Sequence, residues 1–181
     1  MIVLCVGTTK SLFDVVIASN GFILEKRFGQ TVVQTSLLTG VFAIACALGA
    51  VVAARVNYEP IQVLRIFIPI LLVAAGFLVL AGACFSGQLM WYLASISFLQ
   101  LTIFPPIVAY HAEFSQDLQD IAGLAASISM GSQYLLSSVM SLPGILAADD
   151  SSGAMLLVLA GTVLITEIVT WLGILRPKVQ R

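Results

Sequence analysis

Charged residues are scarce in this 181-residue chain. Lysine, arginine, aspartate and glutamate together make up 9% of it, whereas 60% of the residues are hydrophobic. A soluble domain ordinarily carries about 25% charged residues. The chain therefore lacks the polar side chains that a water-facing surface of its size requires. This scarcity predicts an integral membrane protein, whose first partner is the lipid bilayer.

An excess of basic charge is also missing. The sequence has 8 basic and 9 acidic residues, and its formal net charge is −1. Proteins that bind nucleic acids neutralise phosphates with lysine and arginine, and no basic stripe is present here. A nucleic-acid partner is not expected.

Histidine and cysteine are equally rare. His111 is the only histidine, and Cys5, Cys46 and Cys84 are the only cysteines, without a C-x-x-C spacing. We expect the cysteines to pack as small apolar residues, with metal or disulfide roles as the minor alternative, and we expect no cofactor. An intramembrane enzyme would need a Ser/His, paired Asp or metal-ligand constellation within its helices. The sequence supplies none, so it favours a protein that is not an enzyme.

What the chain has in abundance is long apolar segments. A helix needs about 20 mostly apolar residues to span the hydrocarbon core, and these segments do not alternate as barrel strands do. We predict an all-α membrane protein with six transmembrane helices in one bundle, forming a single domain over residues 1–181. Lys10 and Asp14, in the middle of the first segment, argue against a cleaved signal peptide. The predicted spans are 1–24, 31–56, 61–85, 89–110, 121–147 and 153–175.

The basic residues at the span ends predict an orientation. One side of the membrane receives five of them and the other receives only Lys26 and Arg27. Cytoplasmic loops carry the excess of lysine and arginine. We therefore expect a multi-pass protein of the cytoplasmic membrane with both termini in the cytoplasm. The five residues on the cytoplasmic side are Arg55, Arg65, Arg176, Lys178 and Arg181.

Three ionisable residues fall well inside the predicted spans, where charge is costly and usually functional. Lys10 and Asp14 are four residues apart and share a helix face. They are candidates for a proton-coupling pair, or a self-neutralised pair that eases insertion of the helix. Glu167 has no basic neighbour one turn away. It is either a carboxyl group that exchanges protons or one that reaches the interface or a partner on another helix.

Neutral polar and aromatic residues in the spans could line a substrate cavity. Each taken alone is also consistent with a simple interhelical hydrogen bond or packing contact. The cavity candidates are Asn20, Phe22, Gln100, Phe104, Gln133 and Tyr134.

Small residues at four-residue spacing allow helices to approach closely in lipid. Gly123, Ser127 and Gly131 form such a row in the fifth span, and Ala45 and Gly49 form another in the second. We predict helix packing at both rows.

The chain also resembles a known family at three places. Residues 18–24 (ASNGFIL) with 28–29 (FG) resemble the end of the seventh helix of major facilitator superfamily transporters and the loop after it. Residues 104–109 (FPPIVA) resemble the tenth-helix stretch with its central proline, and 121–127 (IAGLAAS) resemble the opening of the eleventh. The likeness is to the C-terminal six-helix half, in the drug/proton antiporter branch of the bicyclomycin-resistance type.

This resemblance implies two inverted three-helix repeats and a proton-coupled efflux of small amphipathic compounds by alternating access. In alternating access one half moves against the other, so a second copy or a separately encoded N-terminal half would be needed. The family's N-terminal half and its signature loop have no counterpart in this sequence. The alternative is a partial transporter product or a membrane subunit without transport activity of its own.

Overall fold

The computed structural model describes residues 2–55, 59–116 and 122–172, and in this part of the chain six helices follow one another. The all-α prediction is confirmed. The helices are α1 (Ile2–Lys26), α2 (Val32–Arg55), α3 (Pro60–Cys84), α4 (Leu89–Gln116), α5 (Ala122–Asp150) and α6 (Ser152–Thr170).

Four of these helices are long and apolar enough to cross a membrane, within the residues that are described. They are α2, α3, α4 over Leu89–Glu113, and α6. Their length and composition favour a membrane-embedded protein. Helices α1 and α5 are equally long, at 25 and 29 residues, but they carry more serine, threonine and charged residues. Six crossings therefore remain a prediction, and so does the orientation. Arg176, Lys178 and Arg181, on which the orientation partly depends, lie outside the described residues.

The helices pack around α1 and α4. Helix α1 contacts α5 and α6 and, less extensively, α4 and α2, while α4 contacts α3 and α2. Helices α3 and α6 also pack against each other. The main apolar core lies along these contacts, and a second cluster around Cys5, Leu64 and Tyr110 joins α1, α3 and α4. Helix α2 is mostly at the surface, since only 17% of its apolar segment is buried.

Two close approaches between helix backbones depend on glycine. A Cβ atom at Gly49 would lie 2.5 Å from the carbonyl oxygen of Leu101, so α2 and α4 approach closely at this point. Gly82 of α3 and Gly153 of α6 make a similar approach, and a Cβ at Gly153 would lie 2.7 Å from the Gly82 oxygen. Small residues at these positions let the backbones touch, as membrane helix packing requires.

The connections between helices are short. Gly29 has a φ of 63°, a left-handed conformation that glycine adopts without strain, and it turns the chain from α1 to α2. Only Ser151 separates α5 from α6. Its side chain caps α6 by accepting a hydrogen bond from the Ala154 amide at 2.9 Å. The Ser152 hydroxyl then donates to the Ser86 carbonyl at 2.7 Å, which ties α6 to the α3–α4 turn.

Candidate functional site

The larger of two neighbouring cavities lies between α1, α2 and α4. Its volume is about 600 Å³, which is within the usual range for small-molecule sites, about 300–1,000 Å³. Most of its lining is apolar, and no charged residue contributes to it. The lining residues are Phe13, Val16, Ile17, Asn20, Gly21, Thr39, Phe42, Ala43, Cys46 and Gln100.

The polar residues of this larger cavity are held in fixed positions by hydrogen bonds. The buried Tyr92 hydroxyl donates to Asn20 Oδ1 at 3.1 Å, and Asn20 Nδ2 donates to Thr39 Oγ1 at 3.2 Å. On the other wall Cys46 Sγ donates to Gln100 Oε1 at 3.2 Å. Two amide side chains are thereby presented from different helices to one apolar space. This arrangement can orient an uncharged amphipathic molecule.

The smaller cavity lies between α1, α4 and α5 and has a volume of about 220 Å³. Phe13 lines both cavities. Its ring meets that of Phe104 edge to face, with centroids 5.9 Å apart and planes at 86°. The two rings therefore stand at the boundary between an uncharged and a charged cavity. The smaller one is lined by Val6, Lys10, Phe13, Phe104, Ile107, His111, Met130, Gln133 and Tyr134.

The predicted Lys10–Asp14 pair is formed, and α5 adds to it. Lys10 Nζ lies 3.1 Å from Asp14 Oδ1 and 3.0 Å from Oδ2. The Ser137 hydroxyl donates a hydrogen bond to Asp14 Oδ2. The ammonium also lies 4.1 Å from the centroid of the Tyr134 ring. Asp14 is thus bound by its own helix and by α5.

Glu167 has the opposite surroundings. It is 5% exposed, and neither carboxyl oxygen has a hydrogen-bond partner among the described residues. Beside it Thr170 Oγ1 and the Tyr110 hydroxyl share a hydrogen bond of 2.6 Å. Cys5 and Tyr110 also lie near the carboxyl group. A buried carboxyl without partners is stable in its neutral, protonated form, because burying an isolated charge is costly.

The six residues predicted to line a cavity do not line a single common one. Asn20 and Gln100 line the larger cavity, and Phe104, Gln133 and Tyr134 line the smaller one. Phe22 lines neither of them. It packs against the main core, and Lys26 Nζ lies 4.6 Å from its ring centroid. The side chain leaves the cavity because Phe22 is two residues after Asn20, which places it about 200° around α1, on the opposite face.

The two rows of small residues also differ. Ala45 and Gly49 are buried on the face of α2 that meets α4. Gly123, Ser127 and Gly131 are exposed, and a Cβ atom at either glycine would meet nothing within 4 Å. The packing expected of this second row is therefore not made with any described helix of this chain.

Sequence reasoning missed several residues of the site. Ser137, Thr39 and Tyr92 complete the hydrogen bonds of Asp14 and Asn20, and Phe13 lies between the cavities. Ser137 is four residues after Gln133 and so shares its helix face. That spacing could have singled it out.

No protein-family model, no curated protein and no solved structure matches the chain.

Proposed function

We propose that this chain is one helical half of a secondary active transporter, which exports small amphipathic compounds in exchange for protons by alternating access. The observation that carries the proposal is the pair of cavities that meet at Phe13 and Phe104. A transporter needs a ligand-sized space between helices near the middle of the bundle. The larger cavity offers apolar walls for the body of the cargo, and Asn20 and Gln100 for its polar group.

Most of the helix contacts among the described residues are consistent with a repeat, but α5–α6 and α1–α2 have no counterpart of similar extent. Exchanging α1 with α4, α2 with α5 and α3 with α6 turns the α1–α5 contact into the α4–α2 contact, and α3–α4 into α6–α1. The contacts α1–α4 and α3–α6 are unchanged by this exchange. The larger cavity, between α1, α2 and α4, becomes the smaller one, between α4, α5 and α1. Inverted three-helix repeats of transporters produce this kind of pairing.

Glu167 is the best candidate for the proton carrier. Its carboxyl group is buried without a hydrogen-bond partner in the described structure, a state that suits a neutral carboxyl. Rocking of the bundle that exposed Glu167 to water would favour release of the proton, because hydration stabilises the charged form. Asp14 is less suited, since Lys10 and Ser137 already stabilise its charge.

The other half of the transporter would be a second copy of the chain or a separate six-helix chain. The exposed faces of α2 and α5 are available to it, including the row Gly123, Ser127 and Gly131. In this proposal the protein lies in the cytoplasmic membrane with both termini in the cytoplasm. Its helices α1 and α5 cross the bilayer with the other four.

Transport by proteoliposomes tests the proposal. Vesicles containing the chain should move an amphipathic dye against its gradient when a proton gradient is imposed, and should stop when the gradient is dissipated. Gln100→Leu should slow this movement, because it removes the polar end of the larger cavity. Gln62→Leu is the matched control, since Gln62 is exposed on α3. Dye movement that ignores the proton gradient, or that is equal in both variants, would contradict the proposal.

A second candidate is a membrane subunit with no transport activity of its own. The exposed row on α5 favours it, because small residues at this spacing serve as contact points for a partner helix. The mass of the protein in detergent separates the two candidates. A stable symmetric dimer favours the transporter, and a monomer favours the subunit.

A further inference from the structure

We infer that the ammonium group of Lys10 occupies a binding site for organic cations, formed by the Asp14 carboxylate, the Tyr134 ring and the wall of the smaller cavity. Lys10 acts there as an internal competitor that a cationic ligand must displace. The inference rests on the proposed function only in treating the bound cation as cargo. Binding itself can be measured without transport.

The contacts of Lys10 are those that recognise an alkylammonium ligand. A carboxylate lies 3.0–3.1 Å from the nitrogen and an aromatic face lies 4.1 Å from it. Aromatic rings attract cations over their faces, and this attraction increases when water is excluded. The ammonium is thus bound from two sides, by α1 and by α5.

A self-neutralised pair on one helix would not need the contribution of α5. An ion pair at i,i+4 forms from the spacing alone and contributes little. Here α5 supplies both the Tyr134 ring and the Ser137 hydroxyl, which holds the carboxylate in place. Two groups from a second helix therefore converge on the same ion pair, one on the ammonium and one on the carboxylate, as in a constructed site.

The cavity beside the ammonium suits the alkyl arms of a ligand. Phe13, Phe104, Ile107 and Met130 supply apolar walls, and Lys10 itself forms part of the lining. Its four-carbon stem is flexible, so the ammonium can withdraw and leave its place to a ligand. Tyr134 is 59% exposed, which leaves the ring accessible from the surface of the bundle.

A tethered competitor lowers the apparent affinity of the free ligand, because its effective concentration at the site is in the mM range. Removing the ammonium should therefore increase binding. We expect purified Lys10→Met to bind tetraethylammonium at least about tenfold more tightly than the parent chain, measured by equilibrium dialysis in detergent. Lys26→Met is the matched control. Lys26 also lies over a ring, that of Phe22, but the described structure places no carboxylate beside it, and its removal should leave binding unchanged.

Three further variants keep the test decisive. Lys10→Gln removes the charge but keeps a hydrogen-bond donor for Asp14, so it serves if Lys10→Met does not fold. In the Lys10→Met background, Asp14→Asn should abolish the gain, and Tyr134→Leu should reduce it by about two- to fivefold. Equal binding by the parent and both Lys10 variants would overturn the inference, as would tight binding that survives Asp14→Asn.

The outcome is separable from that of the proposed function. Tight binding by Lys10→Met in a chain that moves no dye would support this site and contradict a transporter built from two copies of this chain. Proton-driven dye movement with no gain in binding would support the transporter and overturn this site.

Discussion

Asp14 and Glu167 are both carboxyl groups in helices of one bundle, but their surroundings are opposite. Asp14 receives hydrogen bonds from Lys10 on its own helix and Ser137 on α5, and it is 32% exposed. Glu167 is almost completely buried and has no partner among the described residues. The first environment supplies hydrogen bonds to a carboxylate, and the second supplies none among the described residues. The surroundings of a carboxyl group in these helices therefore depend on its hydrogen-bond partners and not on its being within a helix.

The largest effect on stability should follow from Asp14→Asn. The change leaves Lys10 without its counter-ion and removes charge-assisted hydrogen bonds, which are worth about 1.5–3 kcal/mol. We expect a loss of that size, measured by denaturant unfolding in detergent micelles. Glu25→Gln, at the exposed end of the same helix, is the control and should have little effect. An equally small effect of Asp14→Asn would show that the pair contributes nothing to the fold.

Ser137→Ala tests the part of α5 in this comparison. The variant removes one hydrogen bond to Asp14 but leaves the Lys10 contact, so we expect a loss of about 1 kcal/mol in the same unfolding assay. Ser138→Ala is the neighbouring control, because the Ser138 hydroxyl is exposed and donates only to the Tyr134 carbonyl of its own helix. Equal losses for the two variants would mean that Asp14 does not need α5.

Tyr110→Phe tests the surroundings of Glu167. It removes the hydrogen bond between Tyr110 and Thr170, and we expect a loss of about 0.5–1.5 kcal/mol. Tyr134→Phe keeps the ring of a largely exposed tyrosine and should be close to neutral. If Tyr110→Phe were also neutral, the polar contacts beside Glu167 would not help to hold α4 against α6.

The smallest effect on stability is expected for Glu167→Gln. An amide replaces a neutral carboxyl of the same shape, so we expect a change of less than about 1 kcal/mol. The proton dependence of dye movement in proteoliposomes should nevertheless be lost, because an amide carries no exchangeable acid proton. A loss of stability as large as that of Asp14→Asn would show that Glu167 is charged and paired, and would remove the contrast between the two groups.

The order of the helices could be predicted from the sequence because long apolar segments and short polar breaks mark them clearly. Their ends were less predictable. The predicted fourth span stops at Tyr110, but α4 continues to Gln116, and α5 continues through Asp150. Apolar composition marks the part of a helix that suits lipid, whereas helical hydrogen bonding continues past it into polar sequence.

The partners of each site residue could be predicted only in part. The Lys10–Asp14 contact follows from spacing within one helix, and it is present. The contacts of Asp14 with Ser137 and of Asn20 with Tyr92 join residues 123 and 72 positions apart, so they require the packing of whole helices. Gly49 and Gly131 also show that spacing within one helix does not predict contacts between helices. Both belong to rows that permit close approach, but spacing does not say which row finds a neighbour.

The single residue between α5 and α6 has a mechanical consequence. Ser151 is the whole connection and also caps α6. The adjoining ends of the two helices therefore cannot move far apart. A displacement of the C-terminal end of α5 would act on the first turn of α6, which is hydrogen-bonded to the α3–α4 turn. Helix α6 also carries Glu167. The short connection therefore joins the helix that carries Tyr134 directly to the helix that carries the acid.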